Sequence, residues 1–482
     1  MMRMIRRKPN RREFLGGLLG TGAASRLWAA AEPVPNVLLI VADDLGWADV
    51  GYHGSALRTP NIDKLARSGA ELHQHYVAPV CSPTRCALLT GRYWSRFGVN
   101  NPQATQAMPF GTVTLASALK ARGYETCITG KWHLGSLPEW GPRRFGFDQS
   151  YGALGGGTGP WDHRYKRGPY TRNWHRNDEY VDEQGHVTDL ISREAIGFLE
   201  ARRRSPFLLY VPFTAVHHPI DEPSSWLNAN KHIEERRRQY AACVEHMDDA
   251  IGRLIAALEK GNLRRNTLIV FTSDNGAMGN RASDLASYPG EYQNGLLGDN
   301  KPLRGHKGQV YEGGIRVPAF VNWPGRISPG KVDAPVSVVD WLPTFSKLAG
   351  FQSEHDLKWD GQDVWPLVTG KAPASTRNLY WKGPNGRSFA MRSGDWKLIV
   401  HNAPEGNAPR VELFNLRDDP YEERDRAASE PEIVMRLNQL LVRERSLDDD
   451  AVPARNRTAN SDDKGLWRSA GLPEGRRESL TA

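Results

Sequence analysis

The 482-residue chain is 39% hydrophobic and 24% charged, an ordinary globular composition with length for a large α/β domain and a smaller partner. Its formal charge of +8 sits mostly in residues 1–31, where seven basic residues accompany one acid, so the basic balance does not point to nucleic-acid binding. The four cysteines show no metal-ligand spacing, which excludes a zinc scaffold built on them.

The first segment reads as a signal peptide over 1–31. Asn10-Arg11-Arg12-Glu13-Phe14-Leu15 resembles the twin-arginine export motif, a Gly/Ala-rich stretch follows, and Ala29-Ala30-Ala31 fits a small-residue cleavage site. Gly16, Gly17, Gly20 and Arg26 interrupt that stretch, and no later segment reaches ~18–20 uninterrupted apolar residues, so no stable membrane span is expected. The leader predicts a bacterial protein, carried out by twin-arginine export machinery to the periplasm or the medium.

Asn36–Val41, Glu125–Thr129, Phe207–Val211 and Leu268–Thr272 are apolar runs of strand length, suited to burial on both faces of a sheet. Helical patterns alternate with them at Asn61–Ser68, Thr114–Arg122, Thr188–Arg203, Glu234–Lys260 and Asp340–Ala349. In the fourth, Ala241, Val244, Met247, Ile251, Leu254 and Leu258 fall on one helix face. The alternation predicts an α/β domain over 32–375 whose central sheet is mainly parallel and flanked by helices. Residues 151–180 show no periodicity and read as a long loop over the site. Within it, Trp161, Arg172, Trp174 and His175 are of types that stack on sugars and pair with anions. From about residue 376 the segments shorten. Ser388–Arg392, Trp396–Val400 and Val411–Asn415 predict an antiparallel sheet in a smaller α+β domain over 376–450, and the polar residues 451–482 an extended tail.

Three predicted strands run directly into polar residues: Asp43-Asp44, Lys131 with His133, and Asp274-Asn275. Ligands in open α/β sheets bind beyond the carboxyl ends of strands, so these residues are candidates for one site. Asp43, Asp44, Asp274 and Asn275 offer hard oxygen donors, which select Ca²⁺ or Mg²⁺ over zinc. Ser82-Pro83 predicts a helix start with Ser82 as N-cap, which sets Cys81 just before a helix N-terminus that favours anions.

Cys81-Ser82-Pro83-Thr84-Arg85, followed by Leu89-Thr90-Gly91-Arg92, resembles the Cys-x-Pro-x-Arg signature of type I sulfatases. Lys131-Trp132-His133-Leu134-Gly135, Val216-His217-His218-Pro219, Leu303-Arg304-Gly305-His306-Lys307 and Glu312–Pro318 resemble further segments of that family, in order. The branch most resembled is that of N-acetylgalactosamine-4-sulfatase, the arylsulfatase B-like enzymes. The resemblance implies an alkaline-phosphatase-like fold and hydrolysis of sulfate esters on a polysaccharide or oligosaccharide. It implies that a formylglycine-generating or sulfatase-maturing enzyme oxidises Cys81 to formylglycine, whose hydrate is the nucleophile. It also implies Ca²⁺, rather than Mg²⁺, held by Asp43, Asp44, Asp274, Asn275 and residue 81.

In the implied roles Arg85 orients the hydrate, Asp274 accepts its proton, and Lys131 and Lys307 hold sulfate oxygens. His217, with Lys307, protonates the departing alcohol, and His133 takes the proton of the second hydroxyl. Consuming Cys81 leaves Cys86, Cys127 and Cys243, an odd number that argues against full disulfide pairing. Two other readings stay open: a phosphodiesterase or phosphonate monoester hydrolase of the same superfamily, and a noncatalytic sulfated-glycan-binding protein.

Overall fold

Alternate residues of Asn36–Ala42 (β1) enter two different apolar clusters, Val37, Leu39 and Val41 on one side and Leu38, Ile40 and Ala42 on the other. Side chains alternate across a strand, so covering both faces removes any need for polar positions and accounts for the unbroken run. The computed structural model describes residues 34–165, 171–201, 204–278, 298–373, 376–402 and 408–452. The leader and nearly all of the predicted tail lie outside the described residues.

The remaining strands, in chain order, are Ala70–Leu72 (β2), His75–Tyr76 (β3), Glu125–Thr129 (β4), Gln149–Ala153 (β5), Trp174–Arg176 (β6), Glu179–Tyr180 (β7), Phe207–Pro212 (β8) and Thr267–Ser273 (β9). Ala319–Asn322 (β10), Gly330–Val332 (β11), Val336–Ser337 (β12), Asn378–Lys382 (β13), Ser388–Ser393 (β14), Trp396–His401 (β15) and Arg410–Asn415 (β16) follow. Ten of them form one sheet in the order β11-β2-β10-β9-β1-β8-β4-β5-β6-β7. Its centre, from β9 to β5, is parallel, while β10 runs antiparallel to β9 and β2, and β6 and β7 are antiparallel to their neighbours. The helices Pro60–Arg67, Val187–Glu200 and Glu235–Lys260 cover one face, and the six apolar residues of the third are buried there as their spacing predicts. Each fully buried leucine among them contributes about 1.5–3 kcal/mol. Cys81–Thr90, Leu115–Lys120 and Trp341–Ala349 cover the other face.

The stretch 151–180 differs from the predicted loop: it carries the end of β5 and the strands β6 and β7, which form one edge of the sheet. Strands of two or three residues are too short to display a period. The antiparallel C-terminal sheet forms in the order β13-β14-β15-β16, with β13 and the helix Pro431–Arg445 added to the three strands expected. Its Leu379, Phe389, Leu398 and Leu413 belong to the same apolar cluster as the helix Cys81–Thr90. Lys397 of β15 is fully buried between Glu312 and Glu422, 2.8 Å from each. That ion triad ties the C-terminal sheet to the segment that follows Lys307.

Candidate active site

Four neighbouring parallel strands end at one place. β9 leads into Asp274 and Asn275, β1 into Asp43 and Asp44, β4 into Lys131 and His133, and β8 through a short loop to His217. Backbone bonds stitch these exits together: Asp43 N–H donates to Ala215 O (2.9 Å), Asp274 N–H to Ala42 O (3.0 Å) and Lys131 N–H to Pro212 O (2.7 Å). The functional side chains therefore hang from the sheet itself, a rigid support.

Cys81 is the first residue of the helix Cys81–Thr90, every residue of which is buried. Ser82 does not cap it, contrary to the expectation from Ser-Pro. The N-cap is Val80, and the Ser82 hydroxyl instead donates to His133 O at 2.8 Å and accepts the Gln103 N–H at 2.9 Å. Two tertiary partners outcompete the local cap, and they fasten the turn bearing Cys81 to the backbone of His133. All four cysteines are buried free thiols.

Around the Cys81 thiol, carboxylates and cations alternate. Its Sγ lies 3.6 Å from Asp43 Oδ1. Arg85, one turn further on, donates from Nε and Nη2 to Asp274 Oδ2 at 3.1 and 2.8 Å, and from Nη1 to Lys131 O at 2.8 Å. Lys131 Nζ is 2.5 Å from Asp43 Oδ2, and Lys307 Nζ is 2.7 and 2.9 Å from the two oxygens of Asp44. Asn275 Nδ2 donates to Asp44 Oδ1 at 2.6 Å, and His217 Nε2 stands 3.8 Å from Asp44 Oδ2. One donor atom each from Asp43, Asp44, Cys81 and His217 lies within 4.8 Å of the others, so the group is compact enough to hold a metal ion.

Burial governs the protonation states. It pushes the Cys81 thiol up, helped by Asp274, so Cys81 stays neutral and is no ready thiolate. Burial and then Asp274 raise Asp43 to about 7, against the pull of Lys131 and Arg85. Asp274 is equally desolvated, yet Arg85, Lys131 and Lys307 hold it below the ordinary carboxylate range. His217 is pushed well below the usual histidine range by burial, then by His218, Lys307 and Lys131.

His133 adopts a left-handed backbone (φ 58°), as does Asp44 (φ 65°), a conformation uncommon for residues with a side chain. The His133 N–H donates to Leu154 O at 3.0 Å, and its ring lies against Gly156, where a Cβ would come within 2.3 Å of Nε2. Asn173, which nothing in the sequence singled out, holds that turn: it accepts the Gly155 N–H at 2.6 Å and donates to Gly157 O at 2.9 Å. Gly156→Ala is expected to displace the imidazole and lower kcat about 10²-fold with KM little changed, the cost of an ångström-scale misplacement. Steady-state kinetics on the folded variant checks this; an unchanged kcat would remove His133 from the chemistry.

The four residues expected to face substrate separate into two pairs. Trp174 (2% exposed) packs edge-on against Tyr151, and His175 (1% exposed) bonds through Nδ1 to Gly152 O (2.7 Å) and through Nε2 to the Ser150 hydroxyl (3.2 Å). Both are therefore largely buried residues of β6, although Trp174 still borders the recess that the other two line. Trp161 is 45% exposed and donates Nε1–H to Asp221 O at 3.0 Å, while Arg172 is exposed beside Asp182 and over the ring of Tyr180. Both line a recess of ≈ 270 Å³ with Asp162, His163, Arg164 and Trp174.

Asp43, Asp44 and Asp274 are matched by Arg85, Lys131 and Lys307, so a bound dication would leave the pocket cationic and suited to an anionic ester. Residues 35–351 match the family profile described as Sulfatase, and residues 306–446 that of the N-sulphoglucosamine sulphohydrolase C-terminal region. Arylsulfatase J of Mus musculus is 31% identical over 88% of this chain and 78% of its own. N-acetylgalactosamine-6-sulfatase of Mus musculus is 34% identical over 76% of this chain and 72% of its own. The crystal structure of Ps i-CgsB in complex with k-i-k-neocarrahexaose superposes with a TM-score of 0.77 at 31% identity, covering 93% of this chain and 100% of that one. The chain belongs to the sulfatase family and is a sulfuric ester hydrolase.

Proposed function

We propose that the protein removes sulfate from a sulfated polysaccharide or oligosaccharide, using a formylglycine made from Cys81 and a Ca²⁺ ion held by Asp43, Asp44, Asp274 and Asn275. The observation that carries the reading is a thiol that cannot readily ionise, seated at a helix N-terminus among three carboxylates and three cations. The donor set fits a hard cation: Asn275 Oδ1 is buried without a hydrogen-bond partner, and the other donors are carboxylates. When present, the ion supplies Lewis acidity toward sulfate oxygens, and the hydrated aldehyde supplies the two hydroxyls that a thiol lacks.

The remaining work falls to this chain's own side chains. Arg85, fixed on Asp274 and on Lys131 O, sets the orientation of residue 81. Lys131 and Lys307 hold the sulfate oxygens as point charges. Anion binding offsets the charges of both lysines, two of the influences that depress His217, and so returns proton affinity to the group placed to protonate the leaving alcohol. His133, locked by Gly156, Leu154 and the Ser82 bond, takes the proton of the second hydroxyl. Asp274 accepts the proton of the first.

The carbohydrate class is supported by the N-acetylgalactosamine-6-sulfatase likeness and by the neocarrahexaose complex. Trp161 and Arg172 supply the surface for it. Among the described residues no helix is long and apolar enough to cross a membrane, and export through the twin-arginine route rests on Asn10–Leu15. Protein of verified aldehyde content is expected to release sulfate from a panel of defined sulfated saccharides and to lose activity on chelation with EGTA. It should prefer nitrophenyl sulfate to bis-nitrophenyl phosphate. A large preference for the phosphate diester would favour the phosphodiesterase reading, and turnover confined to aryl or steroid sulfates would overturn the carbohydrate assignment.

A further inference from the structure

A second cluster of potential ligands lies where the helices Val187–Glu200 and Glu235–Lys260 meet the far end of the loop that bears His217. His186 precedes the first helix, Asp189 sits in its first turn, His246 is in the middle of the second, and Glu222 lies five residues beyond His217. His186, His246 and Glu222 are buried. One donor atom each from His186, Asp189 and His246 lies within 4.8 Å of the other two, and His246 Nε2 is 3.2 Å from Asp189 Oδ1.

Two details distinguish this group from a plain ion-pair network. His246 Nδ1 is 2.8 Å from Glu222 Oε2, so its N–H donates to that carboxylate and Nε2 is the nitrogen turned toward Asp189 and His186. A carboxylate behind a histidine is the usual means of orienting a metal ligand. His186 Nε2 is buried without a hydrogen-bond partner, 3.6 Å from Glu222 Oε1, and a buried polar atom left unpaired calls for an explanation. Aromatic rings wall the group: Trp226 stacks on His246 and Trp161 packs edge-on against His186, with centroids 5.1 and 5.0 Å apart.

We propose that His186 Nε2, His246 Nε2 and Asp189 bind a divalent transition-metal ion, zinc by preference, that joins the two helices, with Glu222 behind His246 passing the restraint to the His217 loop. Two imidazoles and one carboxylate suit a borderline-soft ion, whereas Ca²⁺ and Mg²⁺ take oxygen donors. Tetrahedral bonds of about 2.0–2.1 Å set donor atoms about 3.4 Å apart, close to the separation of His246 and Asp189. Coordination through His186 Nε2 moves the ring proton to Nδ1 and gives up the 3.3 Å contact from the Thr188 N–H, the weakest bond of the group. Arg253 donates to the same Asp189 Oδ1 at 2.8 Å and keeps the carboxylate charged, and that oxygen retains a second lone pair for the ion. The ion is separate from the hard cation beside Cys81, and its role is to hold the loop.

The test is titration of the metal-stripped, full-length protein with Co²⁺, whose near-tetrahedral complexes absorb visible light far more strongly than the aquo ion. One equivalent of chromophore is expected in the unsubstituted protein, displaced by Zn²⁺. It should persist in Asp44→Asn, which impairs the other site, and bind Co²⁺ roughly 10-fold or more weakly in His186→Gln and His246→Gln. Circular dichroism checks folding; should His246→Gln fail to fold, the unsubstituted protein and His186→Gln decide the question. Absence of a chromophore at millimolar Co²⁺ overturns the proposal. So does a chromophore that survives both histidine substitutions or is lost in Asp44→Asn.

Discussion

Cys81→Ala is expected to lower sulfate-ester turnover by roughly 10⁵–10⁶-fold, the scale on which the loss of a nucleophile is felt. The substitution leaves the surrounding charges paired: Arg85 with Asp274, Lys131 with Asp43 and Lys307 with Asp44. Folding and affinity for inorganic sulfate should therefore change little, and the loss should appear in kcat. Cys81→Ser is expected to be equally inactive, because one hydroxyl cannot replace a hydrated aldehyde. Mass spectrometry of the tryptic peptide Ser68–Arg85 gives the complementary reading, since conversion of thiol to aldehyde lowers its mass by about 18 Da. Active protein carrying an intact thiol there would refute the mechanism.

Asp274→Ala is expected to cost about 3–5 kcal/mol of stability as well as activity, the toll of removing one partner from a buried ion pair. Arg85 has no exposed surface, and without Asp274 its nearest carboxylate oxygen is that of Asp43 at 3.9 Å. Its charge would then be held in the interior by one carbonyl and a distant anion. Asp274→Asn keeps an acceptor without the charge and should fall between the two. The double substitution Asp274→Ala with Arg85→Ala should recover part of the loss, because residues in contact are not additive. Lys260→Ala, at an exposed pair with Glu200, serves as a control expected to stay within about 0.5 kcal/mol. Denaturation midpoints measure all four; an Asp274→Ala midpoint equal to that of the control would show that Arg85 does not depend on the pair.

The strands β1, β4, β8 and β9 were legible because strands covered on both faces present unbroken apolar runs, and the helix Glu235–Lys260 because its buried face repeats at helical spacing. The strand ends then pointed to Asp43, Asp44, Lys131, His133, Asp274 and Asn275, which the fold brings together. His217 lies five residues past β8 and could be found only through its motif. Other features left no local trace. Trp174 and His175 look solvent-facing in an aperiodic stretch, but a three-residue strand carries them into the interior. Ser82 reads as a cap until His133 O and Gln103 N are seen to claim its hydroxyl. Gly156 and Asn173 act through contacts that only the folded chain creates. His186 and His246 stand sixty residues apart, on separate elements, with no recognisable ligand spacing.

The burial of Lys397 between Glu312 and Glu422 bears on how this enzyme can diversify. A polypeptide cut short near residue 376 would strip Lys397 from the buried Glu312, close in sequence to Lys307, and leave that carboxylate with the Tyr76 hydroxyl at 2.8 Å and Arg316 at 3.7 Å. It would also bare the side of the cluster now covered by Leu379, Phe389, Leu398 and Leu413. Any replacement of the C-terminal segment would have to restore both the cation and that apolar cover, whereas surface loops around the site can vary without disturbing either.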